Sequence, residues 1–227
     1  MELRDLLLKH NMPITDRQLQ QLELFADLLI QWNERFNLTA ITERQEIYLK
    51  HFADCLLLNR YPLGSRLVDV GTGAGFPAVV LKISNPDLQV TMLEPNNKKV
   101  TFLNEVIAQL QLQGIEAVGQ RSEDYARDHY ESFDVVTSRA VAALNVLSEL
   151  CLPLVRVGGH FLAMKGPRGP EELQESANAL RKLGGRAVAV DSYQLDEQSR
   201  LIIDIIKTEA TNRKYPRNYS QIKKKPL

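Results

Sequence analysis

Apolar residues along the first sixty positions recur at helical spacing. Leu19, Leu22, Phe25, Ala26, Leu29, Trp32 and Phe36 step by three and four residues, the stripe of an amphipathic helix. Thr15 followed by Gln18 predicts a capping box ahead of that stripe, with Ile14 and Leu19 as its hydrophobic staple. Thr42 and Gln45 repeat the box and predict a further helix to about Asn59. Tyr61-Pro62-Leu63-Gly64 then interrupts the periodicity as a breaker cluster. Beyond it, short β-rich runs alternate with helical stretches. Strands are predicted over 66–70, 89–93, 115–118, 133–137 and 160–164, and helices over about 76–84, 98–112 and 144–154. Such alternation predicts parallel βαβ units with right-handed crossovers, hence a doubly wound α/β sheet. Runs 186–193 and 200–207 flank a short polar loop and predict a closing antiparallel hairpin. The expected organisation is a helical extension over 1–62 that lids the sheet, an α/β domain over 63–208 and a tail over 209–227.

Composition narrows the class. The 227 residues are 44% hydrophobic and 25% charged, which suits a globular chain and excludes fibrous or disordered ones. The longest apolar run, 140–144, is far short of the ~18 residues that cross a bilayer. Glu2, Arg4 and Asp5 interrupt the N-terminal apolar residues, so a signal-peptide layout is missing and a cytoplasmic location is expected. Cys55 and Cys151 make no disulfide framework. His10, His51, His129 and His160 have no ligand spacing, and no metal is expected. The 28 basic residues balance the 28 acidic ones, but unevenly. From Lys207 onward seven basic residues face Glu209 alone, a balance of +6 against −6 for residues 1–206. With Tyr215 and Tyr219 interleaved, the tail offers cations and flat rings to a polyanion with unpaired bases; a merely solvated terminus is the alternative.

Candidate chemistry sits after the first strand, in Asp69-Val70-Gly71-Thr72-Gly73-Ala74-Gly75-Phe76-Pro77. Alternate glycines let backbone approach a ligand at a helix N-terminus on the carboxyl edge of the sheet. A dinucleotide fingerprint would need glycine at Phe76, and no P-loop Gly-Lys-Ser/Thr follows. The Asp-x-Gly-x-Gly-x-Gly pattern fits S-adenosylmethionine. Glu94 ends the second strand, where a carboxylate accepts both ribose hydroxyls, and Pro95 and Asn96 follow it. Gln120-Arg121-Ser122-Glu123-Asp124 follows the third strand, where an acid or hydroxyl can accept from adenine.

Taken together, Val68–Pro77, Trp32-Asn33, Asn37-Leu38-Thr39, His51-Phe52-Ala53-Asp54, Ser138–Ala142, Ala163–Gly166 and the C-terminal Arg213–Arg217 and Lys223–Leu227 resemble the glucose-inhibited division protein B family of small-subunit ribosomal RNA guanine-N7 methyltransferases. Ala78, Glu94 and Cys55 depart from its usual glycine, aspartate and serine. The resemblance implies a class I S-adenosylmethionine-dependent methyltransferase fold, Rossmann-like, with a mostly parallel sheet. It places the cofactor against Gly71, Gly73, Gly75, Phe76, Glu94, Pro95, Asn96, Ser122, Glu123 and Arg139. The implied partner is small-subunit ribosomal RNA or the ribosomal subunit, and the implied substrate a guanine in the decoding-region loop of 16S RNA. Arg139 and Lys165 are the expected catalytic residues. Asn37, Lys165, Arg213, Lys214, Tyr215, Arg217, Lys223, Lys224 and Lys225 are the expected substrate contacts.

Guanine N7 carries a lone pair and no proton, so its methylation needs alignment rather than a base. The chain has neither Asn-Pro-Pro-Tyr after the fourth strand nor a Pro-Cys nucleophile loop, which exocyclic-amine and pyrimidine-C5 transfer would call for. Open alternatives are a methyltransferase acting on a small molecule or protein, a dinucleotide oxidoreductase, and a non-catalytic ribosome-associated module.

Overall fold

A computed structural model describes residues 2–139, 142–195 and 199–227. Ala140 and Val141 of the Ser138–Ala142 motif lie outside the described residues. In chain order come α1 (Leu3–Lys9), α2 (Asp16–Asn33) and α3 (Arg44–Ile47), which continues through a π-helical segment, Tyr48–Ala53, into α4 (Asp54–Leu56) and a 3-10 turn, Leu57–Arg60. The α/β part follows with β1 (Arg66–Val70), α5 (Ala78–Ser84), β2 (Gln89–Leu93), α6 (Asn97–Gln109), β3 (Ile115–Val118), α7 (Ser122–Tyr125), β4 (Phe133–Arg139), α8 (Leu144–Cys151) and β5 (Val155–Lys165). It closes with α9 (Gly169–Glu175), α10 (Ala177–Leu183), β6 (Gly185–Gln194), β7 (Ser199–Lys207) and α11 (Tyr219–Lys224).

The strands form one sheet of order β3-β2-β1-β4-β5-β7-β6. Pairs from β3 through β5 are parallel, and β7 runs antiparallel to both β5 and β6. Buried runs such as Leu67–Val70 are what parallel strands covered on both faces require. Alternate side chains serve opposite faces: Leu67, Val135, Leu162 and Met164 join a core with Phe25, Phe52, Phe76 and Phe102, while Val68, Val136, Phe161 and Ala163 join one with Leu147, Leu150, Leu180 and Ile222. Helices α1 and α2 therefore share their core with α5 and α6, and Trp32 packs there against Phe36 and Phe102.

Several expectations shift in position. The Thr15–Gln18 box caps α2, but Thr42 caps nothing. Helix α3 starts after Glu43 without a side-chain cap. β4 extends past 137 to Arg139, and β5 begins at Val155 rather than 160. Helices α9 and α10 were not predicted, although Pro170 with Glu171 and Glu172 at one end and left-handed Gly184 at the other are start and stop signals. The tail packs on α8: Thr211, Tyr215 and Ile222 are buried, and Arg217 pairs with the fully buried Glu149 at 2.6 Å. Buried Lys207 donates to Leu152 O at 2.6 Å and Val155 O at 3.3 Å, satisfying carbonyls beyond α8, and to Thr211 Oγ1 at 2.6 Å.

Candidate functional site: a cleft at the carboxyl edge of the sheet

The loops at the carboxyl ends of β1, β2, β3, β4 and β5 open onto a cleft of about 950 Å³, closed on one side by residues 38–41 and the π-helical segment. Gly71 and Thr72 donate to Leu93 O at 2.9 and 3.2 Å, which ties the glycine loop to the end of β2. Gly75 has φ +94°, and a Cβ there would stand 2.6 Å from Val79 Cγ2, so the tight turn into α5 excludes a side chain. At Gly73, φ +61°, a Cβ would meet nothing closer than Gly71 O at 4.0 Å; the residue instead presents bare backbone to the cleft. Gly73 N–H donates to Glu94 Oε2 at 3.1 Å and Asn96 N–H to Oε1 at 2.9 Å. The Glu94 carboxylate is thereby held with a lone pair on each oxygen still available.

These features fit the adenosine part of S-adenosylmethionine. Glu94 and Pro95 line the cleft beside Ser122 and Glu123, which are buried at the start of α7. Burial raises the Glu123 carboxyl above its ordinary value. Asp69 lies beneath the loop, accepting from Ala78 N at 3.4 Å, and burial pushes its carboxyl up to about 7. Its Oδ1 and the Thr72 and Thr137 hydroxyls are buried without a protein partner among the described residues. Arg121 lies over the Tyr219 ring at 4.9 Å, bringing α11 to the rim at this end.

The other half of the cleft is basic. Arg139 ends β4 with its guanidinium 5.1 Å from the Phe76 ring centroid. Its Nη1 donates to Lys50 O at 3.1 Å and Asp54 Oδ2 at 3.2 Å, and its Nη2 to His51 Nδ1 at 2.9 Å. Nδ1 also lies 3.2 Å from Lys50 O; because arginine only donates, the shorter Arg139 contact assigns Nδ1 as the acceptor, and in that tautomer Nε2 carries the proton and faces Thr39 Oγ1 at 3.1 Å. Burial, reinforced by Arg139, pushes His51 down to about 3, and the ring is neutral at pH 7. It stacks on Phe76 with centroids 4.3 Å apart. Lys165 ends β5, donating to Ala142 O at 2.6 Å, and pairs with Glu172 at 2.7 Å. The same Glu172 oxygen accepts from Leu144 N at 2.9 Å at the start of α8.

Of the residues expected from sequence, Gly71, Gly73, Phe76, Glu94, Pro95, Ser122, Glu123, Arg139 and Lys165 line the cleft. Gly75 shapes the loop from behind, and Asn96 caps α6 by accepting from Lys98 N at 3.0 Å. Asn37 is exposed outside the cleft. In the tail, Arg217 is paired inward, Tyr215 is buried, Arg213 lies over the Tyr130 ring at 3.9 Å and Lys214 near the Tyr215 ring at 5.2 Å, while Lys223, Lys224 and Lys225 are exposed. Sequence reading missed Lys50, Asp54, Tyr193 and Arg200 in the cleft. Asp54 stood within a quoted motif but had no chemical role assigned, and nothing local links it to β6 or β7.

Comparison with known proteins agrees with this architecture. A Staphylococcus carnosus protein named ribosomal RNA small subunit methyltransferase G is 44% identical over 96% of this chain and 95% of its own length. Its counterpart from Macrococcus caseolyticus is 46% identical over 94% and 92%. Among solved structures, Bacillus subtilis YcgJ superposes with a TM-score of 0.56 at 13% identity, covering 70% of this chain and all of that one. A 16S rRNA (adenine(1408)-N(1))-methyltransferase from Catenulisporales acidiphilia superposes at 0.54 with 14% identity, covering 64% and 89%. At those identities the two structures speak for the fold alone. The family described as rRNA small subunit methyltransferase G matches residues 18–202, and the chain belongs to it.

Proposed function

We propose that the cleft moves a methyl group from S-adenosylmethionine to N7 of a guanine in small-subunit ribosomal RNA. When bound, the cofactor supplies the methyl on a sulfonium. Transfer would make one C–N bond at the N7 lone pair and break one C–S bond with its electrons going to sulfur, so the positive charge would pass to the base and the chain's residues would have to align the partners but remove no proton. The observation that carries this reading is the division of one cleft into two halves. Bare glycine-loop backbone and the Glu94 carboxylate lie on one side, and Arg139 and Lys165 lie on the other. His51 supports it, because both ring nitrogens are engaged by the protein, Nδ1 by Arg139 and Lys50 O and Nε2 by Thr39, which suits a ring that orients rather than one that accepts a substrate proton. Arg139 is oriented by Asp54, Lys50 O and His51, and it can donate to guanine O6 while the base lies against the methyl. Exposed Lys223, Lys224 and Lys225 add sequence-independent attraction to the strand.

The test uses small subunits from cells lacking this chain, incubated with purified protein and methyl-labelled cofactor, with mass spectrometry of RNA fragments. One 7-methylguanosine is expected. A substrate carrying 7-deazaguanine at that position has no N7 lone pair and must accept no label; label at the normal rate there would refute the N7 assignment.

A further inference from the structure

Composition assigns the rings of the tail to RNA, but the fold brings one of them to the cleft. Ile222 is fully buried and seats α11 against α8, and Asn218 Oδ1 accepts from Gln221 N at 3.0 Å at the start of the helix. Tyr219, the first residue of α11, is half-buried and lines the cleft. The exposed Arg121 guanidinium stands 4.9 Å from the centre of its ring. Arg121 directly precedes α7, so the ring lies within one side chain's reach of Ser122 and Glu123. Among the described residues the Tyr219 hydroxyl has no hydrogen-bond partner, so packing and the cation–π contact are what hold the ring.

The surroundings have the chemistry of a purine slot. Val70, Leu93 and Leu150 are buried, line the same cleft and belong to the core on which Tyr219 packs. Ser122 and Glu123 set a polar edge against these apolar side chains. A purine is apolar on its faces and polar at its rim, which is how this end of the cleft is divided. Glu94 N–H donates to Val118 O at 3.1 Å, which keeps the ribose acceptor beside the end of β3. In the strand order, β3 lies beyond β2 on the side away from Arg139. An adenosine held at Glu94 with its sulfur end towards Arg139 therefore turns its base to α7 and Tyr219.

We propose that the tail completes the cofactor site: the Tyr219 ring is the wall against which the adenine of S-adenosylmethionine lies, and Arg121 is the positioning residue that holds the ring in place. This rests on the cofactor reading given above. Stacking on an aromatic face accepts any base, so selection for adenine falls to Ser122 and Glu123.

Isothermal titration calorimetry of the full chain with S-adenosylhomocysteine and with 5′-methylthioadenosine, which lacks the amino-acid part, tests the wall without requiring methyl transfer. Tyr219→Leu keeps an apolar side chain on α8 but removes the flat ring, and it should weaken both ligands by the same factor, about tenfold. Tyr219→Phe should stay within about twofold. Arg121→Gln should weaken both ligands about threefold, and should cost nothing further in the Tyr219→Leu background, because it acts through the ring. Circular dichroism and melting identify the folded variants, and Arg121→Gln, at an exposed position, decides the matter alone if Tyr219→Leu does not fold. Unchanged affinity for both ligands in the deciding variant would overturn the proposal, as would a loss confined to S-adenosylhomocysteine. So would weaker binding of a single-stranded oligoribonucleotide with both ligand affinities intact, which would give the ring to RNA instead. Failure of the unaltered chain to bind either ligand would overturn the cofactor reading and this proposal with it, whereas ring-dependent binding without methyl transfer to RNA would count against the proposed reaction alone.

Discussion

Replacing Glu94 by glutamine removes one acceptor from a carboxylate that the fold already uses at both oxygens. Gly73 N–H and Asn96 N–H each donate to one of them. The amide of Gln can accept from only one; whichever way it turns, its NH2 faces a backbone donor. The substitution thus loosens either the glycine loop or the turn into α6, and it removes one of the two ribose acceptors as well. Hydrogen bonds to a charged acceptor contribute roughly 1.5–3 kcal/mol each, so Glu94→Gln should weaken S-adenosylmethionine binding by about 10- to 100-fold. Glu94→Ala loses both acceptors, and at least about 3 kcal/mol, on the order of 100-fold or more. Isothermal titration calorimetry on variants of intact fold measures this, with S-adenosylhomocysteine as the control that lacks the transferable methyl. Binding within about twofold of the unaltered chain in both variants would refute the role given to Glu94.

Arg217→Ala leaves the Glu149 carboxylate buried and unpaired and should cost about 3 kcal/mol in denaturant unfolding, with cofactor affinity unchanged in the folded protein. Gly75→Ala forces a Cβ against Val79 at φ +94° and should lower the melting temperature by several degrees, about 1–3 kcal/mol. Neutralising Lys223, Lys224 and Lys225 should lower the salt slope of RNA binding by up to about two, three phosphates at single-strand weight, and leave cofactor calorimetry untouched. Asp69 and His51 oppose each other in pH dependence. Asp69 is raised from 3.8 to about 7, so its contribution to stability falls as pH rises through that window; His51 is lowered from 6.5 to about 3, so its contribution falls as pH drops through its own. Denaturation midpoints between pH 4 and 6.5 should therefore fall more steeply towards acid in Asp69→Asn, and should rise towards acid in His51→Gln.

The sheet was legible because its strands are β-rich runs set between helical stretches, with β1 and β2 buried after their first residue; β1, β2 and β3 keep their expected ends. The cofactor half was legible for a related reason: the glycine loop and Glu94 directly follow β1 and β2, and Ser122 comes four residues after the end of β3, so sequence position and place in the cleft coincide. The basic half is different. Asp54 meets Tyr193 and Arg200 only once the hairpin is folded against the π-helical segment, and helical periodicity has no mark for one wide turn. Glu149 sits in α8 among Leu144, Val146, Leu147, Leu150 and Cys151, where pattern reading assigns a core helix and cannot know that Arg217 comes in from the tail. The tail's charge was read correctly as a total but not in its allocation, because a count does not distinguish a cation facing water from one facing a buried carboxylate.

The position of β7 between β5 and β6 affects how the molecule is made. A chain growing from its N-terminus completes β6 before β7, yet β6 has no neighbour in the sheet until β7 arrives to separate it from β5. Until residue 207 has emerged, β5 is an open edge whose unpaired backbone groups can recruit any extended chain nearby. The rung bearing Tyr193 and Arg200 forms in the same event, so Asp54 gains two of its partners only once β7 has emerged. A nascent or truncated chain ending before β7 would keep the glycine loop and Glu94 in sequence while carrying a sticky sheet edge and half a cleft.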